Sequence, residues 1–157
     1  MFQVGDMIVH PMHGAGVIDK IVEKKLNGVL RSYFELKLPL GGMLVMIPTD
    51  HCEEIGVRPV INSEEGKRVI QSFKQADIDM DANWNRRYRE NMTKLKSGDL
   101  FEVACVVKGL MLRDMNHGLS TGERKMLYIA KQILISELVL SLNMSYVEIE
   151  DCINSAV

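Results

Sequence analysis

Trp84 is the only tryptophan in a chain of 157 residues, and in the stretch NWNRRYREN it stands beside Arg86, Arg87 and Arg89. An indole next to guanidinium groups is a combination suited to nucleic acid: the ring stacks on or wedges between bases, and the cations meet phosphates. Asn83 reads as a helix N-cap, so the three arginines fall at a helix start, where positive charge opposes the macrodipole. Lys94 and Lys96 continue the run, and Glu90, at i+4 from Arg86, is the one acid among these five cations. Arg124 and Lys125 repeat the pattern just after Ser120, a second N-cap. Helix stability does not ask for cations in either place. The salt-sensitive chemistry of phosphate contact does.

Spacing also supports a plainer reading. Trp84, Tyr88, Met92 and Leu95 fall at i, i+4, i+8 and i+11, which is one apolar helical stripe. Trp84 is then the first core residue of its helix. The two readings are compatible if one edge of the indole packs and one face stays open.

Other residue groupings point to less. His10 and His13 form a turn-like pair and His51-Cys52 are adjacent, but four ligands scattered in this way match no zinc framework, and no metal is expected. Gly14 and Gly16 in HPMHGAG suit a tight turn better than a phosphate cradle, because no helix start follows them. No G-x-S-x-G, P-loop or H-E-x-x-H is present, and no nucleophile is paired with a base. An enzyme is not expected, and no cofactor is called for. Cys52, Cys105 and Cys152 include no C-x-x-C and read as reduced thiols, Cys105 as core. The opening MFQVGDMIVH has neither the basic nor the long apolar region of a signal peptide, so a cytoplasmic location is expected.

The elements that must position these residues fall into two halves. The net charge is -2, yet residues 84–131 carry ten Lys/Arg against five Asp/Glu, while 132–157 carry four Asp/Glu and no Lys/Arg. A basic middle between acidic flanks can make a local footprint on an acidic protein. The first third alternates like strands: DMIVH, VIDKIVEKK, VLRSYFELKL and MLVMIP, with Asn27-Gly28 as a hairpin turn and IGVRPV as a last short strand. So few short strands suit a small, strongly bent SH3- or Tudor-like barrel. From Asn62 the period becomes helical, predicting helices over 63–75, 84–97, 100–116, 121–143 and 146–155. Asn62/Glu65, Ser120/Glu123 and Ser145/Glu148 read as capping boxes, Asp99 as a further cap, and Gly98 and Gly118 as stops. The apolar stretch MLYIAKQILISELVLSLNM is interrupted by Lys131, Gln132 and Glu137, which predicts a buried helix and not a membrane span. The domains are therefore expected at 1–58, a barrel, and 62–157, an all-α bundle of about five helices, joined stiffly through Pro59.

FQVGDMIVHPMHGAGVI, GVRPV, NWNRRYRENMTKLKSGD and GLSTGERKMLYIAKQILISEL together resemble the CarD/CdnL family of bacterial transcription regulators, in the same order and spacing over nearly the whole chain. The N-terminal part is also similar to the polymerase-interacting domain of the transcription-repair coupling factor. The resemblance implies a Tudor-like barrel that docks on the RNA polymerase β subunit, in part by laying a strand edge against it. It implies contact of Trp84 with the promoter minor groove at the upstream edge of the transcription bubble, without base-specific reading. By the same resemblance Arg86, Arg87, Arg89 and Lys125 would hold the DNA backbone there, and Arg124, beside Lys125 at the same helix start, is expected to join them. Lys24, Lys25 and Arg31 are the expected polymerase contacts, with Met46 where the family often has a basic residue. A monomer without membrane contact is expected, strand exchange between barrels being the route to a dimer. The alternatives are an adaptor on polymerase that touches no DNA, and an enzyme acting on a small anionic ligand between the two domains.

Overall fold

A computed structural model describes all residues, Met1–Val157. Five strands come first: β1 (Met7–His10), β2 (Gly14–Leu26), β3 (Val29–Lys37), β4 (Leu44–Pro48) and β5 (Arg58–Pro59). They form one antiparallel sheet in the order β4-β3-β2-β1-β5. Asn27 and Gly28 both take positive φ, 49° and 80°, as a two-residue hairpin turn between right-twisted strands requires. A register shift between Ile18 and Lys20 bends β2. The bent sheet then closes around Ile8, Ile18, Phe34, Leu36, Leu38 and Ile47. The connection from β4 to β5 holds a short helix not anticipated from the sequence, α1 (Cys52–Ile55), and contributes Cys52 and Val57 to the same core. This is the Tudor-like arrangement expected.

Five helices follow: α2 (Ser63–Gln75), α3 (Trp84–Lys96), α4 (Leu100–Asn116), α5 (Thr121–Leu142) and α6 (Tyr146–Ser155). The caps fall where the sequence places them: Asn62, Asn83, Asp99, Ser120 and Ser145 each accept a backbone N–H from the first turn of their helix. Only Ser120/Glu123 closes a full, reciprocal capping box. Asn62 and Ser145 supply just the N-cap half. Gly98 and Gly118 have φ of 77° and 76°, the left-handed conformation that ends a helix. A second core gathers α2 to α6, with Val103, Val107 and Leu110 of α4 against Ala130, Leu134 and Leu138 of α5. Cys105 is only half-buried, at the margin of that core, because its neighbours Ala104 and Val106 occupy the inward positions.

Residues Ile133 to Leu138 of α5 are all buried. A helix apolar nearly all round needs a cover on each side, and here the helices cover one side and the sheet the other. Ser136 on α5 accepts the N–H of Ala15 at 2.9 Å and donates to the carbonyl of Ile133. Gly14 sits so close that a Cβ there would lie 2.4 Å from Ser136 Oγ and 3.3 Å from Ile133 Cα, and its φ is 100°. Gly14 and Gly16 are thus not turn residues, as the sequence suggested. Both lie in β2, Gly14 against α5 and Gly16 where a Cβ would meet Leu36 and Lys37 of β3. No single helix is long and apolar enough to cross a membrane.

Candidate nucleic-acid interface

The first turns of α3 and α5 lie side by side. Trp84 opens α3 and is 42% exposed. One face of its indole stacks on Tyr88 one turn later, with ring centroids 5.0 Å apart and 18° between planes. The indole N–H donates to Ser120 Oγ, the N-cap of α5, at 3.0 Å. Both sequence readings of Trp84 therefore hold in part: an edge and a face are packed, and a large part of the ring meets solvent.

Arg87 departs from the expectation. It is 3% exposed and cannot lie on a phosphate backbone as the side chain now stands. Its Nε and Nη2 donate to the two oxygens of Glu123 at 2.7 and 3.2 Å, and Nη1 donates to the carbonyls of Asp81 and Ala82. A guanidinium can be buried when a carboxylate and carbonyls take its protons, and here they take four of five. Glu123 is 2% exposed. Burial alone would raise its carboxyl pKa. The Arg87 hydrogen bond and charge, with Ser120, outweigh that and hold it below the ordinary carboxylate value.

The remaining cations face outward. Arg86 and Arg124 each have 64% of the side chain exposed. Arg86 contacts Asp81 at 3.4 Å, not Glu90, and Arg124 contacts Asp114 at 3.9 Å. Exposed pairs of this kind are weak, worth about 0–1 kcal/mol, and yield readily to a phosphate. Arg89 and Lys125 are exposed and make no ion pair. The excess charge at these helix starts is therefore smaller than the composition indicates, because Asp81, Asp114 and Glu123 reach it from outside each helix's own run. What remains is an exposed ring with four surface cations on the two helix starts that hold it.

At the sheet, strand register sorts the other four candidates. Lys24 pairs directly with Arg31, and Met46 with Glu35. Side chains alternate across a strand, so Lys24, Arg31 and Met46 share the outer face of the sheet. Lys25 pairs with Leu30 and lies on the opposite face. Met46 belongs to β4, an edge strand with an unpaired side and no charged residue. Arg31 also reaches Asp50 at 3.6 Å.

His10 and His13 rings contact each other with centroids 4.5 Å apart, while His51 instead meets Asp50 and Glu54. No group of three or more His, Cys, Asp or Glu is placed to hold a metal ion. Sequence reading missed Tyr88, Ser120 and Glu123 as parts of the Trp84 site. The capping box was a visible signal for the last two, but nothing local tied it to a tryptophan 36 residues away.

Comparison with known proteins bears on this two-part layout. Residues 2–61 match the CarD-like/TRCF RID domain, and residues 68–154 match the CarD C-terminal domain. The chain belongs to the CarD family. A relative from Bacillus subtilis (strain 168), named "Putative transcription factor YdeB", is 39% identical over 138 residues, covering 88% of this chain and 90% of that protein. The chain is thus a CarD-family transcription regulator, and the CarD C-terminal match includes Trp84, its stacking partner and its cap.

Proposed function

We propose that this CarD-family regulator binds the RNA polymerase β subunit through residues 1–58 and stabilises the promoter open complex through residues 62–157. It acts as a monomer in the cytoplasm. The free edge of β4 and the outer face bearing Lys24, Arg31 and Met46 supply the polymerase contact, by strand addition together with charge. Trp84 meets the minor groove at the upstream edge of the bubble. Arg86, Arg89, Arg124 and Lys125 meet the backbone. Arg87 is assigned to holding the site together.

The observation that carries this reading is the half-open indole of Trp84 between exposed cations. A ring that stacks at a melted junction but has no place in intact duplex favours the open state by its differential affinity. Stacking of about 1–3 kcal/mol changes that equilibrium roughly 5- to 150-fold. Attachment to polymerase raises the local concentration, so weak intrinsic DNA affinity suffices. Trp84→Ala tests the reading. The variant is expected to fold and to bind polymerase as the parent does, while the open-complex lifetime it supports falls at least fivefold. An unchanged lifetime would favour an adaptor that touches no DNA.

A further inference from the structure

An exposed tryptophan at the first position of a helix has no intrinsic reason to hold one rotamer. Immobilising such a side chain on binding costs about 0.5–1.5 kcal/mol, a cost removed if the ring is already set. The contacts around Trp84 set it. Ser120 Oγ accepts the indole N–H at 3.0 Å, accepts the N–H of Glu123 at 3.2 Å, and donates its own proton to Glu123 Oε1 at 3.2 Å. A hydroxyl has one donor and two acceptor positions, and all three are occupied. The hydroxyl proton is therefore committed to Glu123, which leaves a lone pair for the indole. Glu123 is itself fixed by the Arg87 fork, and Arg87 also holds the Asp81 and Ala82 carbonyls, which immediately precede the Asn83 cap of α3. The chain of contacts closes on itself: from the ring to Ser120, to Glu123, to Arg87, and back to the start of the helix that bears the ring.

We infer that Ser120, Glu123 and Arg87 are positioning residues for Trp84, a buried ion pair acting through a helix cap to hold the indole preset for melted DNA. The DNA part rests on the function proposed above, whereas the preset ring is a property of the free protein. This arrangement also explains why an arginine stands at the start of α3. Two helix N-termini meet here, and the Glu123 carboxylate at N3 of α5 compensates both the dipoles and the guanidinium between them.

Because Trp84 is the only tryptophan, its fluorescence reports this ring alone. The experiment compares Ser120→Ala, Ser120→Thr, Glu123→Gln and, as a control, Ser145→Ala in the full chain. Ser145 likewise accepts a first-turn N–H, that of Glu148, to cap α6, but makes no contact with the ring. Ser120→Ala and Glu123→Gln are expected to raise acrylamide quenching of Trp84 about twofold and lower its anisotropy. They should also weaken binding to a forked DNA probe about three- to tenfold. Ser120→Thr should restore both readouts. Ser145→Ala should lower thermal stability yet leave the fluorescence unchanged. Parent-like quenching and anisotropy in folded Ser120→Ala would overturn the inference, as would equal changes in Ser145→Ala. If the fluorescence responds while Trp84→Ala binds forked DNA as the parent does, the positioning stands and the DNA reading fails.

Discussion

Arg58 and Glu137, 79 residues apart, form a bidentate ion pair with both N–O distances at 2.7 Å. Glu137 is fully buried in the middle of α5, and the Arg58 side chain is 27% exposed in edge strand β5. Glu137 also accepts the N–H of Ile61, and Arg58 Nε donates to the carbonyl of Gly98 just beyond α3. One carboxylate thus joins the sheet edge, the connection to α2 and the end of the helix that carries Trp84. With Gly14 seated on Ser136, it fixes the span between the β4 edge and the indole.

Removing that carboxylate strands a guanidinium and a backbone N–H at once. Glu137→Ala is expected to cost about 2–4 kcal/mol, less than a fully buried pair because Arg58 keeps some water. At about 2–4 °C per kcal/mol the melting temperature falls by about 5–15 °C. Glu137→Gln, which keeps the shape and one acceptor, should lose less. Thermal melts of the two variants check this, and a parent-like melt for Glu137→Gln would show that the charge pair is not what matters.

Strand register separates two neighbouring lysines. Lys24 shares the outer face with Arg31 and Met46, while Lys25 points to the other side. Charge reversal against a complementary surface costs at least about tenfold in affinity. Lys24→Glu should therefore weaken capture by the polymerase β-subunit lobe at least tenfold, and Lys25→Glu clearly less. A pull-down with the lobe decides, and equal effects would place the contact at the hairpin tip instead of on the sheet face.

Local signals carried most of the fold. Alternation, Asn27-Gly28, five N-caps and two glycine stops set nearly every strand and helix within a residue or two, since each depends on neighbours in sequence. Contacts between distant residues were not legible. Glu123 reads as a cap and Glu137 as a polar break in an apolar helix. Their partners, Arg87 and Arg58, are 36 and 79 residues away. For the same reason Arg87 resembled Arg86 and Arg89 in sequence, although the helix turns it inward. Gly14 looked like a turn because the helix it admits is more than a hundred residues later.

His10 gives the fold an acid-sensitive step. Its Nδ1 accepts the N–H of Met12 at 3.1 Å, which requires a neutral ring on that side. Burial, followed by the charge of His13, lowers its pKa from 6.5 to about 4. Below pH 6.5 the unfolded chain binds this proton and the folded chain does not, so stability is lost as pH falls from 6.5 towards 4. His10→Asn, whose side-chain oxygen can accept the same N–H, should show a flatter dependence across that window. Denaturant melts at pH 7, 5.5 and 4.5 check it, and parallel curves for parent and variant would remove His10 as the cause.

Salt dependence distinguishes cations that touch DNA from those that hold the site. Four exposed cations, Arg86, Arg89, Arg124 and Lys125, flank Trp84, and Arg87 is buried. If each neutralises one phosphate, the slope of log affinity against log salt for a forked probe is roughly -3 to -4. Arg89→Gln should reduce its magnitude by about 0.7–0.9, the counterions of one contact. The paired change Arg87→Met with Glu123→Leu replaces a buried ion pair by apolar groups, a type of exchange often neutral for stability. It should weaken binding by freeing the indole and leave the slope unaltered, because Arg87 releases no counterion. A slope that falls with the paired change would mean that Arg87 leaves Glu123 for a phosphate in the complex. An unchanged slope in Arg89→Gln would remove that residue from the interface.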